Sequence, residues 1–131
     1  PMIQRAIDNL SREYGQYIGN YKGKDYYSFP TPEELNKASQ EDIRACQTGF
    51  RDKYIKSTCD NVILNNEDVC EYTNLSTDKC IKSLLKFNGV GPKVGDCIAL
   101  FGMQKYDTFP VDVWVKRVMQ EFKHITRACN Q

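Results

Sequence analysis

The sequence predicts an all-α protein, a helical bundle organised around one helical hairpin. Apolar residues recur every three or four positions in several segments, N-cap residues precede those segments, and no segment shows the period-two alternation of a strand. With 131 residues, 40% of them hydrophobic, the chain is long enough to form one domain with its own core. We therefore expect a single helical domain over residues 1–131.

N-cap signals mark the helices in the first third of the chain. An amphipathic helix is predicted from residue 2 to about residue 14. Thr31 followed by Pro32, and Ser39 three residues before Asp42, are N-cap patterns that predict two short helices.

The segment 17–29 is predicted to be a loop rich in glycine and tyrosine. Tyr21, Tyr26 and Tyr27 have two interpretations, since tyrosines either pack a long loop onto the core or offer a base-stacking surface. The residues alone leave both open.

An aromatic and a cation, Phe50 and Arg51, stand at the start of a helix predicted over residues 51–64. An aromatic ring at such a position can wedge into a base stack, and a guanidinium beside it can hold a phosphate. A core phenylalanine next to a solvated arginine would give the same sequence.

Charge and cysteine spacing exclude several classes of protein. The chain has 18 Lys+Arg against 17 Asp+Glu, so any DNA binding depends on local groups and not on a strong overall field. No Cys-x-x-Cys pair occurs, which argues against zinc and iron–sulfur sites and favours mostly buried thiols in a reducing compartment. No apolar run is long enough for a membrane span, and we do not expect the amphipathic start of this sequence to be a signal peptide. The six cysteines are Cys46, Cys59, Cys70, Cys80, Cys97 and Cys129.

The predicted hairpin occupies residues 79–103. Gly89 and Gly91 permit positive φ and a close backbone approach, and Pro92 suits the first position of the second helix. The backbone amides of Gly91, Lys93 and Val94 then form an anion site at a helix N-terminus, suited to a DNA phosphate.

Lys93 and Asp112 are the candidate catalytic pair. Lys93 lies in the first turn of a helix, where the positive end of the dipole disfavours the ammonium form and enriches the nucleophilic amine. Asp112, at the end of a loop over 107–112, is placed to cap the last helix and to remain ionised beside a developing positive charge. Each residue alone also fits an ordinary surface or capping role.

Two motifs carry a family resemblance: G-V-G-P-K-V-G-D-C at residues 89–97 and P-V-D-V-W at residues 110–114. With them the chain resembles the helix-hairpin-helix (HhH-GPD) DNA glycosylase superfamily, and most closely its 8-oxoguanine DNA glycosylase/AP lyase branch. The resemblance implies excision of 8-oxoguanine from damaged double-stranded DNA, with strand cleavage through a lysine Schiff base. It also implies a monomer with no membrane partner that acts in the cytoplasm, nucleoid or nucleus.

The resemblance assigns roles residue by residue. The Schiff-base lysine falls on Lys93 and the essential aspartate on Asp112. The base pocket falls on Asp96, Cys97 and Phe101. The DNA contacts fall on Phe50, Arg51, Gly89, Val90, Gly91, Val94 and Trp114. No cofactor is required and no iron–sulfur cluster is expected, but backbone carbonyls of Leu85, Phe87 and Val90 are expected to hold a monovalent cation.

The chain departs from the family pattern in two respects. Trp114 stands where relatives often have histidine. The N-terminal β-domain and the further C-terminal helix of the family are not in these residues, so we expect a fragment of a longer protein, active or inactive by itself. The alternatives are a non-catalytic helix-hairpin-helix module that only binds DNA, and a glycosylase for oxidised pyrimidines of the endonuclease III type.

Overall fold

The fold was analysed in a computed structural model that describes the backbone of residues 2–129 and the side chains up to Phe122. It is predominantly helical, as predicted, with one small two-stranded sheet. Backbone packing divides the chain into two compact units. The first contains the described residues up to Val69 together with Phe87–Gly89, and the second contains Cys70–Lys86 and the residues from Val90 onward.

The first unit is built from four α-helices and a β-hairpin. Its elements in chain order are α1 (Met2–Tyr14), β1 (Tyr17–Tyr21), β2 (Lys24–Tyr27), α2 (Pro32–Asn36), α3 (Gln40–Ile43), a π-type turn (Arg44–Thr48), a 3-10 turn (Gly49–Arg51) and α4 (Asp52–Asn65). The core is formed by apolar side chains of α1 to α4, with Ile43 completely buried at its centre. This core holds the segment that carries Phe50 and Arg51.

The N-cap predictions for α2 and α3 are confirmed. Thr31 accepts a hydrogen bond from the amide of Glu34, whose carboxylate accepts one from the amide of Thr31. Ser39 and Asp42 form the same reciprocal capping box at α3. Each box satisfies amides that a helix N-terminus would otherwise leave without a partner.

The prediction of a loop over residues 17–29 is wrong, because most of this segment forms an antiparallel β-hairpin. Lys22 and Gly23 form the two-residue turn with φ of 51° and 78°, the left-handed pair that matches the twist of a hairpin. The sequence shows no alternation of apolar and polar residues here, because tyrosines lie on both faces of this two-stranded ribbon. The register also shifts between Tyr17 and Gly19, which breaks the period of two.

The second unit is built around two packed helices. Its elements are a 3-10 segment (Val69–Asn74, of which residues 70–74 belong to this unit), α5 (Thr77–Leu84), α6 (Pro92–Gly102) and α7 (Val113–Cys129). α5 packs against α6, and the buried side chains are Tyr72, Cys80, Leu84, Ala99 and Met103. The predicted hairpin of two helices is thus present. None of the described helices is both long and apolar enough to cross a membrane.

Three of the five cysteines with described side chains are buried: Cys46, Cys59 and Cys80. Burial raises the pKa of each of these three thiols, so they persist as unreactive thiols at neutral pH. Cys97 is half-buried and Cys70 is exposed, so the prediction of buried thiols does not extend to Cys70. The side chain of Cys129 lies outside the described residues.

Candidate active site

The N-terminus of α6 carries no side-chain cap. Gly91 is the N-cap and Pro92 the first helical residue, and the first hydrogen bond of the helix runs from the amide of Gly95 to the carbonyl of Gly91 over 2.8 Å. The amides of Lys93 and Val94 precede that bond and need partners from outside the helix. This end of α6 therefore has the geometry of an anion site.

The turn before α6 requires glycine at only one of the two positions singled out in the sequence. Gly89 has φ of 86°, and a Cβ built there would lie 2.5 Å from a ring carbon of Tyr54. Gly91 has an extended backbone (φ −89°, ψ −179°) with open space around it. The close backbone approach is therefore made at Gly89, and the expectation of a special conformation at Gly91 is wrong.

The predicted nucleophile and the three residues of the predicted base pocket all lie on α6, within its first three turns. Lys93 is followed at three, four and eight positions by Asp96, Cys97 and Phe101, the spacing of residues that share a helix face. Lys93 is exposed, Asp96 and Cys97 are half-buried, and Phe101 is 81% exposed. The structure thus brings the predicted nucleophile and the predicted base pocket onto one helix.

Asp112 caps α7, as predicted. Its Oδ1 accepts a hydrogen bond from the amide of Val115 at 2.8 Å, and its backbone carbonyl accepts one from the amide of Lys116 at 3.0 Å. The side chain is exposed, and its Oδ2 accepts no hydrogen bond within the described residues. One carboxylate oxygen therefore orients the group, and the other remains available to a substrate.

The loop between α6 and α7 is held by bonds that the sequence did not predict. Nζ of Lys105 donates to the carbonyls of Thr73 and Leu75 at 2.7 and 2.6 Å. Asp107 accepts a hydrogen bond from the hydroxyl of Thr77 at 2.7 Å. These long-range bonds fix the start of the predicted 107–112 loop, and nothing in the local sequence signals them.

Trp114 lies on the first turn of α7 and is 70% exposed. The guanidinium carbon of Arg117 lies 5.0 Å from the centroid of a Trp114 ring, within cation–π range. An exposed indole paired with a cation is a surface that can contact a nucleic acid.

Phe50 and Arg51 belong to the first unit, where they form an exposed tip. Phe50 is 62% exposed, which excludes its interpretation as a core residue. The guanidinium carbon of Arg51 lies 4.7 Å from the centroid of the Phe50 ring. The ring also borders an open apolar groove of about 630 Å³ that is lined by Ile3, Ile7 and Phe29.

The backbone before this tip is strained. Gln47 has φ of 66° inside the π-type turn, and Gly49 has φ of 60° with ψ of −140°. The hydroxyl of buried Thr48 donates to the carbonyl of Ile43 at 2.9 Å, which braces the turn from inside. A left-handed residue other than glycine is costly and is found most often at functional sites, and Gln47 lies three residues before the exposed Phe50.

A buried carboxylate anchors the tip from the other side. Asp52 is 1% exposed and accepts hydrogen bonds from its neighbour amide Lys53 at 2.8 Å, from Nε of Arg44 at 2.8 Å and from Gln40 at 3.2 Å. Burial acts to raise the pKa of Asp52, but these hydrogen bonds and the charge of Arg44 outweigh it and lower the pKa. The network ties α3, the π-type turn and α4 together around Phe50 and Arg51.

The predicted cation site remains a prediction. Leu85, Phe87 and Val90 all fall between α5 and α6, where their carbonyls lie outside either helix, and carbonyl oxygens are ligands that suit a hard cation. Among the described residues no group of three His, Cys, Asp or Glu side chains could hold a metal ion.

The fold and the hairpin motif define a class of protein. Residues 2–130 match the family model described as the HhH-GPD superfamily base excision DNA repair protein. The chain belongs to this superfamily.

Two similar proteins carry the name N-glycosylase/DNA lyase, one of them as a probable one. The chain is 34% identical to the probable N-glycosylase/DNA lyase of Methanothermobacter thermautotrophicus over 88% of its own length and 42% of that protein. It is 34% identical to the N-glycosylase/DNA lyase of Saccharomyces cerevisiae over 88% of its length and 34% of the relative.

A solved structure agrees with these matches. The 8-oxoguanine glycosylase/lyase of Clostridium acetobutylicum, in complex with double-stranded DNA containing cytosine opposite 8-oxoguanine, has a TM-score of 0.84 and 45% identity to this chain. The match covers 92% of this chain and 41% of that one. The chain therefore spans about two fifths of the length of this relative.

Proposed function

We propose that the intact protein is a DNA glycosylase with AP lyase activity that removes 8-oxoguanine from double-stranded DNA in the nucleoid or nucleus. The observation that carries the proposal is the arrangement of the second unit. There, a helix N-terminus without a side-chain cap carries Lys93, and Asp112 begins the next helix with one carboxylate oxygen that accepts no hydrogen bond from the described part of the chain. The named relatives, which are N-glycosylase/DNA lyases, support the same activity.

In this proposal DNA is bound by a few local groups, so the chain as a whole needs no excess of positive charge. The amides of Lys93 and Val94 bind a phosphate at the N-terminus of α6. In the first unit, Phe50 fills the gap that the damaged nucleotide leaves when it turns out of the duplex, a step that costs a few kcal/mol (about 2–5). Arg51 contacts the base that is left without a partner.

The proposed chemistry uses one nucleophile and one carboxylate. The neutral amine of Lys93 attacks C1′ of the damaged nucleotide, and the bond from C1′ to N9 of the base breaks with its electron pair leaving on the base, which is then protonated. The carboxylate of Asp112 stabilises the positive charge that develops on the sugar. Ring opening forms a Schiff base, and loss of a proton from C2′ expels the 3′ phosphate and nicks the strand.

Borohydride trapping tests the role of Lys93. The chain is incubated with borohydride and duplex that contains either an abasic site or 8-oxoguanine, and a covalent complex is expected because hydride reduces the Schiff base. Lys93→Gln should abolish the complex, since glutamine has no nucleophilic amine. Lys82→Gln removes an exposed lysine from α5 of the same unit and should trap as well as wild type.

The two substrates separate the alternatives. Trapping by wild type no stronger than by Lys93→Gln on abasic DNA would overturn the nucleophile and leave a non-catalytic binding module. Trapping on abasic DNA but not on 8-oxoguanine would refute recognition of that base by this segment. Faster trapping on an oxidised pyrimidine would assign the activity to the other branch.

Asp112→Asn tests the carboxylate. The change preserves the cap of α7, because the amide oxygen of asparagine can accept from Val115, but it removes the charge beside the sugar. We expect single-turnover excision to fall by about 10²–10³-fold, the loss typical of one electrostatic group that acts in the transition state, with duplex affinity nearly unchanged. Wild-type excision rates in this variant would refute the role of Asp112.

A further inference from the structure

The β-hairpin of the first unit has two chemically different faces. The register pairs Tyr21 with Lys24 and Asn20 with Asp25, so alternate residues place Tyr21, Lys24 and Tyr26 on one face and Asn20 and Asp25 on the other. We propose that the first of these, the Tyr21–Tyr26 face, binds a single-stranded nucleic acid. This site is separate from the residues that the proposed function uses.

Both tyrosines of this face are exposed and each has an ammonium group over its ring. Tyr21 is 63% exposed and Tyr26 is 43% exposed. Nζ of Lys22 lies 5.3 Å from the Tyr21 ring centroid, and Nζ of Lys24 lies 5.4 Å from that of Tyr26. The face therefore alternates aromatic rings and positive charges.

The tyrosines on the opposite face serve the fold. Tyr17 and Tyr27 contact each other edge to face with centroids 5.6 Å apart, and the guanidinium carbon of Arg12 lies 6.0 Å from the Tyr27 centroid. This contact attaches the ribbon to α1. Within the described residues Tyr21 and Tyr26 form no ring–ring contact, and the cations over their rings belong to the hairpin itself, so neither contact attaches the ribbon to α1.

The cross-strand partner of Tyr26 leaves its ring open. That partner is Gly19, and a Cβ built there would have no atom within 4 Å. A side chain at this position would stand beside the Tyr26 ring, as cross-strand neighbours do. Glycine therefore leaves room for a planar ligand to reach the ring.

The charge of the face selects a polyanion as its partner. Lys22 and Lys24 lie beside the rings, and the one carboxylate of the two strands, Asp25, lies on the other face and accepts a hydrogen bond from Asn20 at 2.9 Å. Tyrosine rings stack on any base, and lysine ammonium groups neutralise phosphates. Rings with cations and without carboxylates thus match the chemistry of a nucleic acid strand.

The spacing of the rings favours an extended strand over a duplex. Tyr21 and Tyr26 are diagonal neighbours across the ribbon, a relation that separates side chains by about 7–8 Å. Stacked bases in a duplex are separated by about 3.4 Å per strand. Two bases can therefore meet the two rings when the strand is single and extended.

The test is fluorescence anisotropy with the full chain and a labelled oligothymidylate of about 12 nucleotides, a length within the usual site size of such surfaces. Tyr21→Ala with Tyr26→Ala should weaken binding by at least about fivefold for each ring, because stacking is lost. Tyr21→Phe with Tyr26→Phe should bind within about twofold of wild type, since the rings remain. Lys22→Gln with Lys24→Gln should reduce the slope of log K against log salt by the amount expected for about two fewer neutralised phosphates.

Ile18→Ala is the matched control, since Ile18 is exposed in the same strand at the register shift but offers no aromatic ring. It should bind the oligonucleotide like wild type, and so should Lys82→Gln, which removes an exposed lysine outside the hairpin. Binding by the double alanine variant within about twofold of wild type would overturn the proposal, as would an equal loss in Ile18→Ala. Equal affinity for a polyglutamate peptide would assign the face to an acidic protein instead.

Discussion

At Gly89 the turn before α6 passes directly against the ring of Tyr54. Gly89→Ala would add a Cβ that lies 2.5 Å from that ring and would force alanine into φ of 86°. We expect the free energy of unfolding to fall by at least about 2 kcal/mol, since backbone strain of this kind alone costs about 1–3 kcal/mol. Urea denaturation measures the change.

Gly91→Ala is the matched control two residues later. Gly91 has an extended backbone with open space around it, so alanine should cost no more than about 1 kcal/mol, the loss typical of a poorer N-cap. Equal losses at the two glycines would show that the contact with Tyr54 is not what demands glycine at Gly89.

At the scale of elements, the stability of the segment from the π-type turn through the start of α4 depends on one buried charge, the carboxylate of Asp52. Hydrogen bonds to Asp52 from Lys53 and Arg44 lower its pKa, so the folded state holds the carboxylate in its ionised form. Protonation would weaken those bonds and release the elements that present Phe50. Stability should therefore depend on pH through this group.

The sign of that dependence follows from the direction of the shift. Because the pKa of Asp52 is lower in the folded than in the unfolded chain, its contribution is present above about pH 4 and is lost as the pH falls below that value. The melting temperature of wild type should decline from pH 4 to pH 2, and Asp52→Asn should decline less. Asp60→Asn, an exposed change on the same helix, should behave like wild type, and parallel curves for wild type and Asp52→Asn would contradict the assignment.

At the scale of the whole molecule, the nearly neutral charge predicts weak salt dependence of duplex binding. With 18 Lys+Arg against 17 Asp+Glu, the proposed function relies on main-chain amides and aromatic contacts for duplex binding, in place of many lysine–phosphate pairs. Since the slope of log K against log salt is about −0.9 for each neutralised phosphate, we expect a slope no steeper than about −3.

Duplex titrations between about 50 and 200 mM salt give that slope. Lys82→Gln, an exposed change on α5, is the control and should leave it unchanged. A slope steeper than about −6 would show that many cationic side chains contact phosphates, contrary to this account.

Local signals were sufficient where a short segment satisfies its own backbone. The caps at Thr31, Ser39 and Asp112 were predicted, because each bond joins residues three positions apart. The motif at residues 89–97 likewise predicted the helical hairpin, with Pro92 at its first helical position. These features depend on neighbours in the sequence and are readable from it.

Only the tertiary structure decided which residues are exposed and which are fixed by hydrogen bonds to residues elsewhere in the chain. Phe50 is exposed, whereas Asp52, two residues later, is buried and accepts hydrogen bonds from Arg44 and Gln40. The strands Tyr17–Tyr21 and Lys24–Tyr27 exist because they pair with each other, which neither segment indicates by itself. The sequence by itself determined the helices, the caps and the family, because hydrogen bonds within a turn act over a few residues. Burial, strain and pairing were decided by contacts between residues distant in the chain, and no local pattern encodes them.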